Sequence, residues 1–235
     1  MEHNPTAVSG IQPVSHINSY LNRVYFWMAA GLAITAIVAW FCVSTPHLLM
    51  TIYKNRVLWY GLLFGELGLV FVISGAINRL SGATATLLFA LYSGLNGVTI
   101  SYVCALYTGE SVATAFFSAA FTFMVAALYG YFTKRDLSSF GSFMFMGLVG
   151  IVIASLVNLF FRSPGVYWVT TYIGVVVFIG LTVYDMNKIK GMAYAIPDDV
   201  DSNTIQKGAI LGALTLYLDF INLFLLLLRI FGRRR

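Results

Sequence analysis

Seven separate stretches of about 20 mostly apolar residues run along this chain, and each is long enough to cross a bilayer as a single helix. They cover approximately Val24–Val43, Leu58–Ile77, Ala83–Tyr107, Ser111–Phe132, Ser139–Phe161, Val166–Tyr184 and Ala209–Ile230. Composition agrees with the count. Of 235 residues, 59% are hydrophobic and 10% are charged, whereas soluble domains carry roughly 25% charged and 45–50% apolar residues. A soluble fold of this size must cover its surface with polar groups, so lipid is the expected solvent for much of the chain.

Turn and charge signals separate the stretches: Ser44–Pro46 through Lys54–Arg56, Asn78–Gly82, Gly109–Glu110, Lys134–Asp136, Arg162–Gly165 and a long polar stretch, Lys188–Lys207. Several of these are only a few residues long, so consecutive helices are expected to lie antiparallel and adjacent. The expected organisation is a polar N-terminal arm over residues 1–23, then one seven-helix transmembrane domain over 24–235. The arm lacks a basic region followed by an apolar core and a cleavage site, so the first helix is expected to insert the chain.

The net charge of +5 and pI near 9.2 do not point to nucleic acid, because the basic residues sit at span edges and at the C-terminus. Arg23, Arg79, Lys134, Arg135, Lys188, Lys190 and Lys207 fall on the N-terminal side. Lys54, Arg56 and Arg162 fall on the other. The positive-inside rule therefore puts the N-terminus in the cytoplasm. Arg229, Arg233, Arg234 and Arg235 run against that rule if the last stretch crosses fully. Ala209–Ile230 is long enough to do so. Cys42 and Cys104 lie in apolar stretches without metal-ligand spacing and read as packing residues. His3, His16 and His47 are isolated and build no metal site.

An ionisable group at membrane depth costs roughly 2.5–3.5 kcal/mol on insertion scales, so each one needs a reason to be there. Glu66, Asp185 and Asp219 are such groups. Asp219 lies mid-stretch, and Gly208, Gly212, Thr215, Asp219 and Asn222 share one face at helical spacing. That stripe describes a helix packed closely against others, with its polar end toward an internal cavity. Asp185 closes the sixth stretch. It meets Asp219 if its helix continues past Tyr184 into the polar stretch. A purely structural hydrogen bond accounts for Asp219, and an interfacial pairing with Lys188 for Asp185, if the two do not meet. Arg79 closes the second stretch on the same side as Asp185 and can pair with either aspartate. Glu66, Thr215 and Asn222 are ion-pathway candidates, with a structural hydrogen bond equally open for Glu66. Asp198, Asp199 and Asp201 read as a solvated turn after Pro197, since they lack the spacing of a calcium-binding EF-hand loop.

The run GALTLYLDFINLFLLLLRIFG, the YDMNKIK run and the seven-stretch pattern resemble the Bax inhibitor family of membrane proteins, in its bacterial branch. The resemblance extends from Val24 to Gly232. It implies an all-α, seven-helix membrane fold with the C-terminal helix central, and a pH-sensitive calcium leak. It also implies an aspartate pair across the last two helices, matched by Asp185 and Asp219, and an arginine after the second helix, matched by Arg79, that pairs with the sensor in the closed state. Glu66 loosely matches an acidic residue of helix two. The basic C-terminal end departs from relatives with acidic or short tails.

Two carboxylates sharing a site cannot both ionise easily and titrate as a unit. On this reading a proton held between Asp185 and Asp219 goes with the Arg79 contact and a closed second helix. Loss of that proton, or entry of Ca²⁺, frees the helix. The two aspartates are oxygen ligands suited to a hard cation, with Ca²⁺ as permeant or bound ion and no other cofactor. Lipid, Ca²⁺ and protons are the expected partners, in a bacterial inner membrane. The alternative is a non-transporting regulator that binds a membrane protease or a stress or cell-death partner, for which the N-terminal arm would serve. Intramembrane aspartyl proteases also place two aspartates on adjacent helices, but TLYLD is not their GxGD motif and no PAL loop follows. An enzyme is therefore not expected.

Overall fold

A computed structural model of the chain describes residues 14–197 and 199–234, and these form an all-helical bundle. In chain order the helices are α1 (Val14–Ser44), α2 (Pro46–Lys54), α3 (Arg56–Ala76), α4 (Gly82–Ala105), α5 (Gly109–Phe132), α6 (Ser138–Phe161), α7 (Pro164–Tyr194) and α8 (Ser202–Phe231). All but α2 are long and apolar enough to span a membrane. Side-chain caps set many of the starts. Asn55, Ser81, Thr108, Ser163 and Asp201 each accept a hydrogen bond from a backbone N–H of the first turn they precede. Pro46 and Pro164 sit in the first turns of α2 and α7, where a missing N–H costs nothing. Arg162 ends α6 in the left-handed region, at φ 50°.

Two connections differ from the sequence expectation. The segment between the first two spans is a nine-residue helix, α2, with no buried residue. The long polar stretch Lys188–Lys207 is mostly helical: α7 runs on to Tyr194 and α8 starts at Ser202. Lys190 explains why α7 tolerates its polar end. Its Nζ donates to the carbonyls of Tyr131 (2.6 Å) and Thr133 (2.9 Å), which lie at the open C-terminus of α5. Lysine on a helix read here as loop is a basic cap for the neighbouring helix. The expected arm over 1–23 overlaps α1, whose helix begins at Val14; residues 1–13 lie outside the described residues.

α8 is the core of the bundle. It packs against α1, α4, α5 and α7, while α3 lies outside on α4 and α6 lies outside on α7. In its most apolar segment 72% of residues are buried, against 6% in α3 and in α6. A helix apolar on nearly all sides belongs in the interior of such a bundle. The outer helices turn aromatic residues outward instead, as with Phe64 and Phe71 on α3 and Phe160 on α6. Close backbone approach holds the inner layer. A Cβ at Gly97 of α4 would lie 2.7 Å from the Thr35 carbonyl oxygen on α1, and one at Gly130 of α5 would lie within 2.3 Å of the Val183 carbonyl oxygen on α7. α8 is one continuous helix, so its C-terminal end lies at the face opposite the start of α1. At the near face Gly208 abuts Tyr20, and Gly82 N donates to Asn203 Oδ1. At the far face Thr108 N donates to the Arg233 carbonyl (3.1 Å).

Candidate functional site

α7 and α8 bring Asp185 and Asp219 together. Because α7 continues nine residues past Asp185 to Tyr194, the two carboxyls reach similar depth and come within hydrogen-bonding distance of each other. Asp219 is 4% exposed, and Asp185 is half-buried. An ionised carboxylate only accepts, so a hydrogen bond between two of them requires a proton on one. Asp219 Oδ2 is buried and accepts from no donor among the described residues. Leaving a buried acceptor unpaired costs about 1–3 kcal/mol, so this position favours a proton, a water or a cation.

The pair lines a cavity of about 810 Å³ between α6, α7 and α8. Thr215 and Asn222 face the same space, in line with the stripe read from sequence. Their side chains already donate within α8, Thr215 Oγ1 to Leu211 O (3.0 Å) and Asn222 Nδ2 to Leu218 O (2.8 Å), leaving oxygen lone pairs free toward the cavity. The glycines of the stripe serve packing: Gly208 meets Tyr20, and Gly212 meets Val24 and Ile189. Asp185 follows Tyr184, whose ring fills the space a Cβ at Gly141 would need. That contact seats α6 on α7 beside the pair.

The basic residue at the pair is Lys188, one helical turn from Asp185 and lining the same cavity. Its Nζ lies 6.0 Å from the Tyr184 ring centroid. Arg79, expected to pair with the aspartates, is elsewhere. It ends a short 3₁₀ turn, Ile77–Arg79, at the membrane edge, is exposed, and does not line the cavity. The turn packs beside α8, near the Gly82–Asn203 contact at the start of that helix. Asp219 lies 17 residues further on, roughly 25 Å along the axis. The contact between Arg79 and the aspartates expected from sequence is therefore not made in this structure.

Glu66 stands at a second polar site, one the sequence reading left incomplete. Its Oε2 accepts from Asn96 Nδ2 (3.1 Å), and its Oε1 accepts from Thr99 Oγ1. Asn96 Oδ1 accepts in turn from the Tyr217 hydroxyl (3.0 Å), which lies 2.6 Å from Thr35 Oγ1. One continuous chain of hydrogen bonds thus joins α1, α8, α4 and α3. Tyr217 and Asp219 are two residues apart, or about 200° around the helix. α8 therefore presents polar groups on opposite sides: the carboxyl toward α7, the phenol toward α1 and α4. The signal in sequence was the tyrosine and asparagine inside apolar stretches.

Among the described residues no group of three or more His, Cys, Asp and Glu side chains is placed to hold a metal ion. Two carboxylates fall short of the six to eight oxygens that Ca²⁺ takes. Asp199 and Asp201 lie in the short connection between α7 and α8, with Asp201 capping α8 (Asp201 Oδ2 to Thr204 N, 3.2 Å); Asp198 lies outside the described residues.

The fold and this site define an integral membrane protein of seven spanning helices with a carboxyl pair against its central helix. The family model described as "Inhibitor of apoptosis-promoting Bax1" matches residues 17–235, and the chain belongs to the Bax inhibitor family. It is 49% identical to the inner membrane protein YbhL of Escherichia coli (strain K12), over the full length of both chains. An uncharacterized protein of Borreliella burgdorferi is 44% identical over 218 residues, 93% of each chain. One from Deinococcus radiodurans is 38% identical over 228 residues, 97% of this chain and 96% of that one.

Proposed function

We propose that this protein is a pH-sensitive calcium leak of the bacterial inner membrane, with Asp185 and Asp219 as sensor and gate and the N-terminus in the cytoplasm. The observation that carries the reading is the meeting of the two carboxyls, with Asp219 Oδ2 unpartnered at the wall of a cavity. With one proton shared, the pair carries a single negative charge, and Lys188 faces it. When that proton leaves, two adjacent carboxylates repel in a site of low dielectric. A divalent cation relieves the repulsion, with the Thr215 hydroxyl and the Asn222 amide oxygen on the same cavity wall as further oxygen ligands in passing. Proton and Ca²⁺ thus compete for one site, and the leak rises with pH. The membrane assignment follows YbhL, which is described as an inner membrane protein.

Calcium entry into proteoliposomes, measured across pH, tests this. The wild-type flux should rise as the shared proton is lost. Asp185→Asn and Asp219→Asn should each flatten that profile. A profile unchanged in both variants overturns the sensor role, and an absence of flux at every pH in the wild type overturns the leak.

A further inference from the structure

On the side of α8 turned away from the aspartate pair, toward its C-terminal end, a second cavity opens between α1, α4, α5 and α8, with a volume of about 470 Å³. Its walls are apolar, with Ala36, Trp40, Ile100, Val112, Phe116 and Phe224 among them. Thr35 lies at its inner end, and that hydroxyl is already committed to Tyr217. Thr35 sits nine residues before the end of α1 at Ser44, so the groove reaches roughly 14 Å into the bilayer. All four walls are spanning helices, which puts the opening among lipid chains.

The mouth of this groove is basic. The chain beyond α8 folds over the start of α5, where Thr108 N donates to Arg233 O (3.1 Å) and Arg233 N donates to Ser111 Oγ (3.0 Å). Arg234 forms a β-bridge with Tyr107, itself a lining residue of the groove. The Arg234 guanidinium lies beside the Tyr107 and Tyr167 hydroxyls, and Tyr107 above all raises its pKa. The Arg229 guanidinium sits 5.2 Å from the Tyr167 ring centroid. Gly232 permits the fold-back, since a Cβ there would lie 2.4 Å from the Tyr107 ring. Arg229, Arg233 and Arg234 are exposed. Glu110, in the first turn of α5, is the one acid in the connections of this face, against Lys54, Arg56, Arg162 and the tail arginines. The tail is thus tied down with an excess of positive charge at the rim of an apolar slot.

We propose that this groove binds an anionic phospholipid, with one acyl chain along the slot and the phosphate headgroup against Arg233 and Arg234. The two halves of the site match the two halves of that ligand. Guanidinium groups pair with phosphate oxygens by paired, charge-assisted hydrogen bonds, and the slot replaces lipid neighbours for the chain. The site lies on the other side of α8 from the aspartate pair, between α1, α4 and α5, and does not depend on the leak.

The test titrates the full chain in mild detergent with phosphatidylglycerol or with phosphatidylcholine of matched chains and counts bound lipid by native mass spectrometry. Phosphatidylglycerol should be preferred by about tenfold or more, from two arginines near the headgroup. Arg233→Gln with Arg234→Gln should bring the two lipids to parity. Ala113→Trp, which fills the slot, should weaken both. Quenching of tryptophan fluorescence by phosphatidylglycerol with brominated chains provides a readout on the unblocked protein, and Trp40→Phe should remove most of it. Inorganic phosphate at the same concentration should not displace the lipid. Equal binding of the two lipids by the wild type overturns the proposal. So does a preference that survives loss of both arginines, quenching unchanged by Trp40→Phe, or a dimer whose formation excludes lipid from the groove.

Discussion

Tyr217 and Asp219 show how much one helix turn decides. Both are buried in α8, yet they serve different neighbours because two residues turn the helix by about 200°. Tyr217 is wedged between Phe89 and Tyr92, with ring centroids 5.8 and 5.7 Å away, edge to face. Its hydroxyl joins Thr35 to Asn96 and so to Glu66. Tyr217→Phe keeps the ring packing but leaves Asn96 Oδ1 without its donor. It should lower stability by about 1–2 kcal/mol, within the range for interhelical hydrogen bonds and unpaired buried acceptors, read as a lower Tm in detergent. An unchanged Tm would show that the chain of hydrogen bonds contributes nothing measurable. The depth of Asp219 and Glu66 was legible in the sequence, because a carboxylate in an apolar run stands out by itself. The network around Glu66 was not, because Thr35, Asn96 and Thr99 carry no charge and their facing depends on tertiary packing. The Arg79 contact failed for a related reason. Its place after the second span was readable, but its distance from Asp219 depends on where the turn after α3 meets α8.

Elements pack here through glycines whose spacing alone says little. A Cβ on Gly130 would run into the Val183 carbonyl oxygen, backbone that cannot swing aside, whereas one on Gly150 meets nothing within 4 Å. Gly130→Ala should therefore destabilise the α5–α7 contact by roughly 1–3 kcal/mol, as overpacking does. Gly150→Ala should be neutral or slightly stabilising. Thermal unfolding of the two variants side by side checks the contrast. At the start of α8, Asp201 accepts from Thr204, and that hydrogen bond holds its carboxyl below the usual carboxylate range. A lowered value in the folded chain means the cap stabilises above the unfolded value of about 3.9 and is lost as pH falls through the folded one. Amide exchange at Thr204 should accelerate in Asp201→Ala near neutral pH, and in the wild type only under acid. The spans themselves were legible, since hydropathy is nearly all that insertion requires. The polar run at Lys188 and Lys190 looked like loop because the carbonyls that Lys190 caps belong to α5, more than 50 residues away in sequence.

At the scale of the molecule, α8 ties everything together. It contributes Asp219 to the cavity against α7, Tyr217 to the network reaching α3, and the tail that folds over α5. A shift of this one helix moves both polar sites at once. In the proposed function Asp185 and Asp219 act as one titrating unit, and coupled groups behave non-additively. The direct measurement is the pH profile of calcium flux in proteoliposomes for Asp185→Asn, Asp219→Asn and the double variant together. The double variant should match either single variant, with the same flattened profile, because removing one carboxyl already abolishes the pair. Two single variants that each keep part of the pH dependence, with a double variant that sums their losses, would contradict the single unit.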